Sequence, residues 1–216
     1  MPSERDADPG PELGPEPDSG RDRREVVLAG HTGNVQVARS ALGHPDGAMR
    51  LAALGALARA GALSTDELLA SMHDPDPGVR RRAAELAAAY PESAANVALL
   101  GLLDDAETLV AEMAAWALGE RAPTSVVVSA LSRVAREHED PLCREAAVAA
   151  LGALADPAGL PAILEATTDK PAIRRRAVIA LAPFEGDEVD AALLRARSDR
   201  DWQVRQAAED QEGRQI

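Results

Sequence analysis

From residue 26 onward, apolar residues recur three and four positions apart, the spacing of one face of a helix. That pattern itself recurs about every 31 residues. An apolar residue followed by arginine marks each copy: Met49-Arg50, Val79-Arg80, Cys143-Arg144, Ile173-Arg174 and Val204-Arg205. Val110-Ala111 fills the remaining slot without the arginine. Successive second residues lie 30, 31, 33, 30 and 31 apart. Constancy of that kind over six copies identifies a repeat array.

Taking the second residue of each pair as position zero, position +3 is alanine in every copy: Ala53, Ala83, Ala114, Ala147, Ala177 and Ala208. Position +7 is Leu57, Leu118, Leu151 or Leu181 in four of them. Positions −1, +3, +4 and +7 share one side of a helix, and the alanine predicts close approach of two helices there. Four residues before the anchor stands a predicted N-cap: Asp46, Asp76, Asp140 and Asp201, with Glu107 and Lys170 as poorer versions. Pro77, Pro141 or Pro171 follows, at the first helical position, where the missing N–H costs nothing; Trp202 takes that slot in the last copy.

Shorter amphipathic segments lie between these helices, at 64–72, 96–103, 125–135, 160–166 and 187–197, the first opened by the capping-box pair Ser64 and Glu67. Each repeat is therefore a helical hairpin. One hairpin cannot bury its apolar stripe alone, whereas stacked neighbours can. The expected fold is an all-α solenoid of about six hairpins over residues 26–212, with a short tail at 213–216.

Residues 1–25 break the pattern. They hold five prolines, three glycines, eight acids and four arginines. Too little apolar surface is present to offset the entropy of ordering, so this segment is expected to be a disordered acidic tail.

The runs DPDPGVRRRAAELAA, HEDPLCREAAVAALGAL and TDKPAIRRRAVIALAPF resemble HEAT repeats, especially the short bacterial type first associated with phycobilisome lyases. Each has an acidic turn, an apolar-Arg pair and then alanines. The resemblance covers roughly residues 30–212 and implies an armadillo-type, right-handed superhelix. It also implies that Arg50, Arg80, Arg144, Arg174 and Arg205 pair with acidic turn residues of neighbouring repeats, a ladder for which Asp46, Asp76, Asp140 and Asp201 are the expected carboxylates. The last copy is polar, with Glu209, Gln211 and Glu212, as suits a terminal cap facing water.

Composition narrows the function. A net charge of −13 and 2% aromatic residues weigh against general binding of phosphate backbones. No apolar run is long enough to span a membrane and no secretory signal is visible, so a cytoplasmic monomer is expected. The single cysteine, Cys143, sits in an apolar −1 slot and reads as core filler; pairing with His138 as a nucleophile is the alternative. Neither a metal-ligand pair nor a phosphate-binding or nucleophile-elbow motif occurs, so no cofactor, metal or catalytic residue is assigned.

Positions +1, +5 and +9 point away from the buried side of the second helices. The resemblance implies that these helices line a concave surface. Position +5 then contributes an apolar strip, Trp116–Ala149–Ile179, and the charged residues Arg81, Glu85, Glu112, Glu145 and Arg175 flank it. An aromatic within such a strip is what a protein-binding hot spot requires; the other possibility is that Trp116 folds onto its neighbours as filler. The leading expectation is a non-enzymatic scaffold binding a protein or peptide on this surface. The first alternative is nucleic-acid binding, as in HEAT-like alkylpurine DNA glycosylases, through Arg81, Arg82, Arg175 and Arg176. A phycobilin lyase-type role is the second.

Overall fold

Alanine-rich stretches between capped turns fold into thirteen α-helices among the residues described by the computed structural model, 19–90 and 93–212. Of the expected tails, residues 1–18 and 213–216 lie outside this description. The outer layer comprises α2 (Val35–Ser40), α4 (Thr65–Ser71), α6 (Ser93–Leu102), α8 (Ser125–Glu137), α10 (Leu160–Ala166) and α12 (Asp187–Ala196). The inner layer comprises α1 (Ser19–Thr32), α3 (Gly47–Arg59), α5 (Pro77–Ala87), α7 (Thr108–Gly119), α9 (Pro141–Leu154), α11 (Pro171–Ala180) and α13 (Trp202–Glu212). Each inner helix packs on the inner helix of the next repeat and on the outer helix of its own hairpin. The result is an α-solenoid.

The anticipated caps start these helices. Asp46, Asp76 and Asp140 accept from the backbone N–H groups of Ala48, of Gly78 and Val79, and of Leu142. Asp201 accepts from Gln203 in the same way. Glu107 and Lys170 hold the N-cap position without a side-chain bond. Ser64 and Glu67 form a complete capping box.

The core is a two-layer seam of small and branched side chains. The six alanines at +3 and the four leucines at +7 are all fully buried or nearly so. At the inner contacts a glycine replaces a side chain altogether. A Cβ on Gly30 would lie 2.7 Å from Ala56 Cα, one on Gly119 2.8 Å from Ala150 Cα, and one on Gly152 2.6 Å from Ala180 Cβ. The three contacts are equivalent, so α1 stacks on α3 as a further inner helix.

Two expectations change here. The tail does not extend to residue 25: Ser19–Glu25 belong to α1, in which Asp22, Arg23, Arg24 and Glu25 face solvent while Val26 and Ala29 are buried against α3. The last repeat does not turn all of its polar residues to water. Glu209 is exposed, but Gln211 is 6% exposed and donates to the Ile179 carbonyl at 3.4 Å. It occupies the slot that Ala150 and Ala180 fill in the two preceding repeats.

Candidate functional site

The repeated arginines do form a ladder, with carboxylates other than the N-caps. Arg50 pairs with Asp74, Arg80 with Asp105, Arg144 with Asp169 and Arg174 with Asp199, each a two-pronged contact from Nε and Nη2 at 2.6–3.1 Å. Nη1 of the same residue braces its own turn; in Arg80 it donates to the Asp74 and Pro75 carbonyls. Asp46, Asp76, Asp140 and Asp201 are occupied with capping and are not rungs. The planar guanidinium matches a carboxylate fork, which makes these pairs directional as well as attractive. The arginine beside each holds Asp74, Asp105, Asp169 and Asp199 below the ordinary carboxylate range.

The ladder is interrupted once. Ala111 supplies no guanidinium, and the position that would face it in the next turn carries His138 instead of aspartate. His138 Nδ1 accepts the Asp140 N–H at 3.0 Å, the bond that Asp74 accepts from the Asp76 N–H and Asp199 from the Asp201 N–H. An imidazole thus keeps the turn without stranding an unpaired carboxylate. His44, whose preceding inner helix α1 carries Asp22 at the position equivalent to the ladder arginines, does the same for Asp46. Arg205, in the last repeat, bonds the Asp199 and Arg200 carbonyls.

Cys143 is fully buried and its thiol contacts the Thr108 carbonyl. Burial, with Asp140 and Glu112 nearby, raises its pKa to about 11, so the thiol stays protonated at neutral pH. The imidazole of His138 is engaged with the turn. No group of three His, Cys, Asp or Glu side chains among the described residues could hold a metal ion.

The inner layer carries a groove of about 470 Å³. Met113, Trp116, Leu142, Ala146, Ala149 and Ala153 give it an apolar surface along α7 and α9. Glu112, Glu120 and Glu145 edge it, and Glu85 from α5 and Arg176 from α11 close its sides. Trp116 is 43% exposed, so it projects into the groove and does not fold away as filler. Of the residues singled out from the sequence, Trp116, Ala149, Glu85, Glu112 and Glu145 meet here. Ile179 and Arg175 line a second hollow of about 290 Å³ beside Trp202, Gln206 and Asp210, and Arg81 is exposed outside both. Met113 and Leu142 complete the main groove two places to either side of their anchors, off the face formed by +1, +5 and +9, whereas Glu120 stands at +9 on that face.

Two of the outward arginines are not free. Arg82 pairs with Glu85 at 2.6 Å and Arg176 with Glu145 at 3.3 Å. Each cation is already neutralised by a groove carboxylate, which removes half of the basic contacts expected for nucleic acid. Glu112 and Glu120 have no ion pair among the described residues.

Stacked hairpins around a groove on the inner helices define a solenoid repeat protein. The family model for HEAT repeats matches residues 65–151 and 128–211, and the chain belongs to that family. No curated protein matches it. Among solved structures, it is similar to a designed armadillo repeat protein in complex with the peptide (KR)4, at 19% identity and a TM-score of 0.59, over 88% of this chain and 97% of that one. It is similar also to the complex of CpcE and CpcF of phycocyanin lyase from Nostoc, at 19% identity and a TM-score of 0.58, over 96% and 79%. For YibA of Escherichia coli the identity is 19% and the TM-score 0.56, over 69% of this chain; the chain spans 57% of YibA. These likenesses are of fold. Among the described residues no helix is long and apolar enough to cross a membrane.

Proposed function

We propose that this HEAT-repeat chain is a non-enzymatic scaffold that binds a protein or peptide in the groove over α7 and α9. The observation that carries the reading is Trp116, a large aromatic left 43% exposed within an apolar strip edged by carboxylates. Exposed aromatics ringed by polar residues are where protein interfaces concentrate their binding energy. Rungs tie α5 to the turn before α7 and α9 to the turn before α11, and the close contact of Gly119 with Ala150 joins α7 to α9, so little ordering accompanies binding. A designed repeat protein of similar fold holds a peptide, which supports the same use here.

The test is selection of a random peptide library on the full chain, followed by calorimetry of the strongest peptide against the chain and Trp116→Ala. Truncating a central aromatic weakens such contacts by roughly 30-fold or more, and far-UV circular dichroism should stay unchanged because Trp116 is not one of the buried core residues of α7. Unaltered affinity in Trp116→Ala would defeat the proposal.

A further inference from the structure

Resting on that reading, we infer that the partner is a basic segment that lays an arginine or lysine against Trp116 between the groove glutamates. The charge of the lining points to it. Four carboxylates, Glu85, Glu112, Glu120 and Glu145, face one guanidinium, Arg176. Glu85 and Glu145 are partly neutralised by Arg82 and Arg176, whereas Glu112 and Glu120 have no ion pair among the described residues. Those two stand four residues before and four after Trp116 on α7, about one turn to either side of it. Glu120 is the C-cap of α7. A carboxylate at a helix C-terminus is repelled by the partial negative charge of the terminal carbonyls, and that end favours a cation. The residue there is thus poor for the helix and well suited to a basic ligand.

The aromatic adds a second reason. An indole face attracts a cation through its quadrupole, and a guanidinium also stacks flat on it while its edges remain free for carboxylates. The apolar floor of Met113, Leu142, Ala146 and Ala149 accepts the aliphatic stem of the same side chain. An acidic or phosphorylated partner meets four carboxylates against one guanidinium that is already paired, and so does a nucleic acid.

The test uses an octapeptide of alternating lysine and arginine, its alternating glutamate–serine counterpart and a neutral glutamine–serine peptide. Each is titrated into the full chain carrying Trp202→Phe, so that fluorescence reports Trp116 alone. Because a chain of net charge −13 attracts any polycation, two matched variants locate the binding. Glu112→Gln with Glu120→Gln removes two groove charges; Asp187→Asn with Glu188→Gln removes two from the start of the outer helix α12. The basic peptide should change Trp116 emission, and its affinity should fall about tenfold in the groove variant and stay unchanged in the outer one. An equal fall in both variants, or equal or tighter binding of the acidic or neutral peptide, would overturn the inference. Non-basic library peptides that still depend on Trp116 would overturn it while leaving the scaffold reading intact. A library yielding no Trp116-dependent peptide would remove both.

Discussion

Replacing Arg80 by alanine removes one whole rung of the ladder. The guanidinium gives two bonds of 2.8 Å to Asp105 and two more to the Asp74 and Pro75 carbonyls at 2.9 and 3.2 Å. The side chains are 17% and 8% exposed, so water screens them partly and cannot replace the lost partner in full. Hydrogen bonds to charged groups contribute about 1.5–3 kcal/mol, and leaving the other partner of a buried pair uncompensated adds to the loss. Arg80→Ala should therefore lower stability by about 2–3 kcal/mol, with a lower urea midpoint and an unchanged m-value by far-UV circular dichroism. The informative variant adds Asp105→His, which rebuilds the Ala111–His138 arrangement found one rung further on. Removing a stranded carboxylate while keeping an acceptor for the Glu107 N–H should restore about 1 kcal/mol of the loss. The result that refutes the reasoning is additivity: a double variant as unstable as the sum of its single substitutions would show that Asp105 and Arg80 are not coupled and that the histidines replace aspartate for some other reason.

Three further expectations follow from the same geometry. Gly152→Val places a branched side chain where even a Cβ would lie 2.6 Å from Ala180; stability should fall by about 2 kcal/mol or more, and an unchanged thermal midpoint would contradict the close packing of α9 on α11. The Cys143 thiol, buried and raised to about 11, should react with a thiol reagent only after unfolding; rapid modification of the native chain would show it to be accessible. For pH, the aspartates of the rungs are held below their ordinary value of 3.8 in the folded chain. Their contribution is therefore complete above the unfolded value and is lost as pH falls through the folded one. Urea midpoints should be level from neutrality to about pH 5 and drop progressively below it; a midpoint that rises on acidification would reverse the sign and contradict the pairing.

Much of the fold was legible because a repeat states its own rules several times. The alanines at +3, the leucines at +7, the capping aspartates and the prolines at the first helical position each recur, and each has a local cause within a few residues. The ladder partners were not legible by the same reading. Most turns hold two acids, such as Asp74 with Asp76 or Asp199 with Asp201, and local chemistry suits either to an arginine. Which one reaches the preceding repeat depends on the stacking geometry, and the N-cap aspartate is already occupied by its own helix. A signal was nonetheless present: six residues before the anchor the chain reads His44, Asp74, Asp105, His138, Thr168 and Asp199, with the rung Asp169 one place later in the fifth copy and histidine where no ladder arginine precedes it. The pairing of Arg82 with Glu85 was within reach as a three-residue helical spacing. That of Arg176 with Glu145 spans 31 residues and needs the superposed repeats. The groove was legible in outline from Trp116, Glu112 and Glu145, and its exposure was not, since a tryptophan at that position could also fold onto its neighbours.

The most direct test of the account is a proton–nitrogen correlation spectrum of the two tryptophan indoles, recorded while a library-selected peptide is titrated into the full chain. If the inner groove is the binding surface, the Trp116 indole N–H shifts with peptide concentration and saturates with the calorimetric affinity. A peptide that binds the chain and leaves the Trp116 resonance in place would contradict it.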